Sequence, residues 1–291
     1  MAMGPRNTEL GDFLRTRRSR IEPEDVGLPG TTRRRVQGLR REELAQISGL
    51  SVDYYTRLEQ GRHPTASPSV LDSLAQALRL PPAERLHLFS LARAVDPHPP
   101  YANQSHRNPS PGEEGTDQEH FQQVLGMFGS APAVLCGPFG DILAANDAAC
   151  FVYDTDFRRL PVPERNTLHW ILTTSTARAL YQDAWEDSAT EMIGKLRIET
   201  GQFPHHSRAR DLVAQLDQAS PLFRRVWRQH EVSSCVQGDI KVFHHRLGGV
   251  LPLRADAVTV HSAPGQVCYV LLPLDDSFDR AFRRYSAQVA S

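Results

Sequence analysis

Between Leu39 and Arg62 apolar residues fall at helical spacing in two short runs separated by a glycine. The first run puts Leu44, Ala45 and Ile47 on one side and leaves Arg40, Arg41, Glu42 and Glu43 exposed at its start. Gly49 supplies the residue a sharp turn needs, because it takes a positive φ without strain. Ser51 is an N-cap whose hydroxyl accepts from the free amides of a helix beginning at Val52. In that helix Tyr55 and Leu58 face inward, Asp53, Thr56, Arg57 and Gln60 face outward, and Gly61 closes it. Helix, glycine turn, helix is the helix-turn-helix pattern.

The same periodicity predicts a preceding helix from Glu9 to about Arg20, with Leu10, Phe13 and Leu14 on one face and Pro23 at its end. Two helices follow the motif. Ser69 to Arg79 carries Val70, Leu71, Leu74, Ala75 and Leu78, and Ala83 to Arg93 carries Leu86, Phe89 and Leu91, with Pro81 and Pro82 between them. Asp96 to Gln118 is rich in Pro, Ser, Gly, Asn and charge, and reads as a flexible linker. After it come a helix from Glu119 to Phe128 and two short apolar runs, Ala133 to Cys136 and Ile142 to Ala145, around a hairpin turn. Helical segments follow at Asp147 to Val152, Arg165 to Leu172, Ser175 to Thr200, Ser207 to Gln218 and Pro221 to His230. The end is strand-like at Asp239 to His244, Gly249 to Val260 and Gln266 to Leu274. The expected architecture is an all-α helix-turn-helix bundle (1–95), a linker (96–118) and an α+β domain (119–291). In that last domain an antiparallel sheet carries helices on one face.

Residues 9 to 95 resemble a DNA-binding domain of the Xre (lambdoid repressor and Cro-like) family, on the spacing Leu44-Ala45, Gly49, Ser51, Arg57, Glu59, Gly61. The segments RRRVQGLRREE, DYYTRLEQGR and ALRLPPAERLHLFSLA resemble more narrowly the MmyB-like regulators, which carry a Pas-like ligand-binding domain after the helix-turn-helix. PAVL, ANDAA, PERNTLHWIL, ALYQDAWED, SPLFRRVWRQHEV and GDIKVFHH extend that likeness through the back half. The resemblance implies that Val52, Asp53, Tyr54, Thr56 and Arg57 face the major groove of a double-stranded operator. It also implies that Ser51 and Arg41 approach phosphates from helix N-termini, with Arg40 and Arg62 completing the basic surface. A small, elongated, fatty-acid-like apolar ligand and a homodimer are implied as well. Two positions depart from the family. Ala145 precedes Asn146 where a Trp-Asn pair is usual, and Arg254 stands where the family tends to have Tyr, so the ligand of relatives does not transfer directly.

Charge sharpens this picture. Residues 1 to 95 hold 15 Arg against 11 acidic residues, while the remainder holds 18 basic against 23 acidic, for an overall net charge of −1. A basic front half suits a polyanion. Arg33, Arg34 and Arg35 directly precede the motif and are candidates for phosphate or minor-groove contact. In the back half Trp170, Tyr181, Trp185, Phe223, Trp227 and Phe243, with Asn146, are the candidate lining of an apolar ligand site. Cys136, Cys150, Cys235 and Cys268 form no CxxC pair, so no zinc ribbon or disulfide framework is expected. They leave a thiol-based redox sensor as the competing reading. No HExxH, GxSxG, P-loop or dinucleotide fingerprint is present, and no enzyme, cofactor or metal is expected. His244 and His245 are neighbours on a strand and point to opposite faces, which rules out joint chelation from one side. Without an apolar run long enough to span a bilayer, the chain reads as a cytoplasmic protein with no membrane partner.

Overall fold

Side-chain caps set where helices begin in this chain. Asn7 Oδ1 accepts from the Leu10 amide at 3.1 Å, Ser51 Oγ from Tyr54 at 3.2 Å, and Asn146 Oδ1 from Ala149 at 2.9 Å. Each bond satisfies an amide that the first helical turn leaves without a partner. The computed structural model describes residues 7–28, 38–62, 66–93, 121–203, 206–230, 232, 239–259 and 266–289. Arg33, Arg34, Arg35, Cys235 and the expected linker lie outside the described residues.

The chain divides into two compact units. The first comprises 1–104 together with 197–210 and 225–234. Its N-terminal part is helical: α1 (Thr8–Arg18), α2 (Arg41–Ile47), α3 (Val52–Glu59), α4 (Pro68–Ala77) and α5 (Pro82–Arg93). Leu10, Phe13, Leu14, Leu44, Tyr55, Leu58, Leu74 and Leu88 form its core, each fully buried. Two apolar assignments differ from expectation. Ile47 is 36% and Leu86 67% exposed. At about 100° per residue, Ile47 sits roughly 200° round from Ala45, and Leu86 roughly 200° from Leu88, so both turn to solvent. The inward stripe of α5 is Leu88, Leu91 and Ala92. Gly49 adopts φ +69 in the turn, as the motif requires. Gly61, at φ +66, ends α3 so close to α1 that a Cβ there would meet the Asn7 carbonyl oxygen at 2.7 Å. The Asn7 amide donates to the Gly61 carbonyl at 3.0 Å and fixes that approach.

The second unit comprises 105–196, 211–224 and 235–291. Its sheet has five antiparallel strands: β1 (Ala133–Cys136), β2 (Ile142–Ala145), β3 (Asp239–His245), β4 (Gly249–Thr259) and β5 (Val267–Pro273), in the order β2-β1-β5-β4-β3. The fold is thus helical at the front and α+β behind, as the pattern predicts. Register assigns the faces. Phe243 pairs with Leu251 on the face packed by helices α9 (Ser175–Tyr181) and α13 (Ser277–Val289). The opposite face does not stand bare. Helical residues 121–126 (α6) bring Leu125 and Phe121 against Ala133, Leu135, Ala144, Cys268 and Val270, which is why all four β1 residues are buried.

Helices α7 (Asp147–Val152), α8 (Thr167–Thr173), α11 (Ser207–Ala219) and α12 (Pro221–Arg228) match the expected helical middle. The expected helix from Ser175 to Thr200 is two. Gln182, at φ 47 and ψ −123, ends α9, and α10 runs from Trp185 to Gln202 after a single 3-10 turn. The break lets Trp185 Nε1 donate to the Ile171 carbonyl at 2.7 Å. Helix α13 lies beyond the last expected element. It packs Phe278, Phe282 and Tyr285 around Phe151.

Candidate functional site

The outer surface of α3 is built by a short helix whose inward residues are few. Tyr55, Leu58 and Glu59 are buried, while Val52, Asp53, Arg57 and Gln60 are exposed and Tyr54 and Thr56 half-buried. Val52, Asp53, Thr56 and Arg57, four of the residues expected to face a groove, therefore share one accessible surface begun by the Ser51 cap, whereas Tyr54 packs against the core. Arg57 donates to the Asp53 carboxylate one turn earlier. That hydrogen bond holds the Asp53 carboxyl below its ordinary value and raises the Arg57 guanidinium above its own. Arg40 and Arg62 are exposed at the two ends of the motif.

Glu59 enters the sequence pattern only as one position of the helix-turn-helix spacing. Its carboxylate is fully buried and holds three arginines: Arg18 at 2.6 Å, Arg41 at 2.7 Å and Arg15 at 3.6 Å. A buried carboxylate needs such partners, since desolvation without them costs several kcal/mol. Arg41, expected at a phosphate, spends its Nε on this cluster and keeps 43% of its side chain exposed. The signal was available: Glu59 stands four residues after Tyr55 and next to Leu58, which puts it on the inward side of α3.

In the second unit the aromatic candidates separate. Trp170, Tyr181 and Phe243 meet around Tyr153, with Phe157 beside them. Tyr153 stands at ring-centroid distances of 5.3 Å from Trp170 and 5.8 Å from Phe243, and Tyr181 at 5.0 Å from Phe243, all edge-to-face. Burial pushes the Tyr153 phenol well above its ordinary pKa, so it stays neutral. The Trp170 indole donates to Thr155 Oγ1 at 3.0 Å. Tyr153 and Phe157 were missed, although FVYDTDF places them just after α7. Trp185 lies under the Arg178 guanidinium, 3.7 Å from its ring. Phe223 is fully buried, and Trp227 belongs to the first unit.

Asn146 serves the backbone: its carboxamide donates to the Ala131 carbonyl and accepts from the Ala133 and Ala149 amides. Arg254 is exposed and pairs with Asp256 on the sheet face opposite Phe243, so the missing tyrosine ring does not alter the aromatic cluster. Burial pushes the Cys268 thiol up to about 11 and raises Cys150 as well, which keeps both protonated near neutrality. His245 is buried in the core. Its Nε2 donates to the Phe151 carbonyl and its Nδ1 accepts from the Gly248 amide, each at 2.8 Å. A surface depression of about 370 Å³ lies elsewhere, lined by Ser130, Leu274, Asp275, Asp276, Phe278 and Asp279. Its carboxylates do not suit an apolar ligand. Among the described residues no helix is long and apolar enough to cross a membrane, and no cluster of three metal-ligating side chains occurs.

Two family models match this chain. One describes the MmyB-like transcription regulator ligand binding domain and covers residues 118–284; the other describes a helix-turn-helix domain and covers residues 9–88. No curated protein matches it.

Proposed function

The chain belongs to the MmyB-like transcription regulators, and from that premise we propose that it binds a twofold operator as a homodimer whose affinity is set by a small apolar ligand. The observation that carries the DNA-binding part is the exposed surface of α3. It is capped by Ser51, bears Val52, Asp53, Thr56 and Arg57, and is held rigidly from behind by the buried Glu59. A single such helix reaches only a few base pairs. Two helices about 34 Å apart, one turn of DNA, give a pair of half-sites. For the ligand, the group formed by Tyr153, Trp170, Tyr181 and Phe243 supports an apolar guest. It offers aromatic surface with few polar groups, the Tyr153 and Tyr181 hydroxyls among them.

Selection of full-length protein on a randomised duplex pool tests the first part. Two inverted half-sites about one helical turn apart are expected. Enrichment of a single half-site, or of none, would contradict the dimer. Mass analysis of what the purified protein releases on denaturation tests the second, with an aliphatic or amphipathic compound expected and a charged polar metabolite contrary to it.

A further inference from the structure

The first compact unit is discontinuous: residues 197–210 and 225–234 belong to it, although both lie within the stretch matched by the ligand-binding family model. Helix α1 explains what they do there. Its arginines fall on two sides. Arg15 and Arg18 reach Glu59 at the end of the recognition helix. Arg17, offset from Arg15 by roughly 200° at about 100° per residue, and Arg20, two residues beyond the end of the helix, turn the other way. Arg17 Nη2 donates to the His230 carbonyl at 2.7 Å and Arg20 Nη2 to the Gln229 carbonyl at 2.7 Å. Arg17 Nε also meets Glu84 of α5 at 2.7 Å.

The receiving side is equally specific. His230 sits at φ 50, a conformation that costs a non-glycine residue energy and persists only where its surroundings hold it. Arg197 stacks 3.9 Å from the Trp227 ring, donates to the Trp227 carbonyl and meets His230 Nδ1 at 3.2 Å. One turn further along α10, Gly201 backs onto the buried His87 so closely that a Cβ would stand 2.9 Å from its Cε1. Helices α10 and α12 are each uninterrupted, and each contributes its N-terminal part to the second unit and its C-terminal part to the first.

We infer that this clasp, Arg17 and Arg20 on the Gln229–His230 carbonyls with Gly201 against His87, is the element through which the ligand-binding region sets DNA affinity. The inference rests on the reading of the chain as a ligand-modulated DNA binder. Helix α1 and the turn that follows it then serve as the relay: Arg17 and Arg20 fasten to the clasp, and Arg15 and Arg18 to the end of α3. A change in the clasp reaches the recognition helix without passing through residues 94–120. By linkage, DNA binding must in turn change the clasp.

Two measurements on the full chain test it. Gly201→Ala removes no charge and touches no expected DNA contact, yet forces α10 and His87 apart. For folded variant, affinity for the selected duplex should change at least about fivefold, the lower end of ordinary allosteric coupling. A folded Gly201→Ala protein within about twofold of the parent overturns the inference. Hydrogen exchange on the unaltered chain decides the matter even where that variant fails to fold. Adding duplex should change protection at residues 225–230 as well as in α3, and a change confined to α3 overturns the relay. Failure of the unaltered chain to retain any duplex overturns the DNA-binding reading and the inference with it. Retention without a change at 225–230 overturns the inference alone.

Discussion

Arg41 Nε lies 2.7 Å from Glu59 Oε2, which ties the first residue of α2 to the last residue of α3. The two helices of the motif are thus locked at their outer ends by charge as well as by Leu44 and Leu58 in the core between them. A guanidinium has five N–H donors, so the half-exposed Arg41 retains an edge for a phosphate while Nε holds Glu59. Replacing Glu59 with Ala leaves Arg18, 11% exposed, without its carboxylate. Removing one member of a buried pair costs roughly 3–5 kcal/mol. Denaturant unfolding of Glu59→Ala should show a loss of that order. A loss within the range of an ordinary surface substitution would mean that the cluster is solvated.

On the open side of α3, Asp53 restrains Arg57. Arg57→Ala should cost about 1–3 kcal/mol on the selected operator and relax preference at one base pair, as expected of a guanine-reading arginine. Asp53→Asn should instead strengthen binding to random duplex, since a negative charge leaves a surface that faces phosphates. Equal losses for Arg57→Ala on operator and random DNA would reduce Arg57 to a phosphate contact.

Much of this was legible in the sequence. The glycine turn, the Ser51 cap and the apolar spacing of α3 specify local geometry, and local geometry is what a short motif is made of. Three strands were equally plain, because β1, β2 and β5 are short apolar runs; the mixed β3 and β4 are marked by the Gly248-Gly249 turn between them. What escaped depends on register and on long-range pairing. Nothing near Trp227 in the chain says that it groups with helices more than a hundred residues earlier. Gln182 gives no sign in its side chain of the positive φ that splits α9 from α10. Helix α13 is a different case: Phe278, Ala281, Phe282 and Tyr285 keep helical spacing after Ser277, a stripe readable in advance.

The run Arg33, Arg34, Arg35 is best tested by salt. Each phosphate contact contributes about 0.9 to the slope of log affinity against log salt on duplex DNA. Replacing all three with Ala should weaken binding to every sequence and lower the slope by up to about 3. An unchanged slope would mark the run as solvated surface.

Two histidines of the first unit make its stability depend on pH. Burial, with the charges of Arg197 and Arg17 adding to it, depresses His87 from 6.5 to about 3; burial, followed by Arg197, depresses His230 from 6.5 to about 4. Both are therefore neutral in the folded chain at pH values where the unfolded chain protonates them. Below about 6.5 the unfolded state binds more protons, so stability falls with pH; it levels off only as the folded-state values are reached. The melting temperature should accordingly decline from pH 6.5 toward pH 4, with both histidines contributing. His87 packs edge-on to Phe13, with ring centroids 5.2 Å apart, so His87→Leu keeps an apolar side chain in that space and removes the titrating group. Melts of parent and variant between pH 7 and pH 4 should diverge, the variant losing less stability as acid is added. Parallel pH profiles would show that His87 takes up its proton while folded, and the buried, neutral assignment would then be wrong.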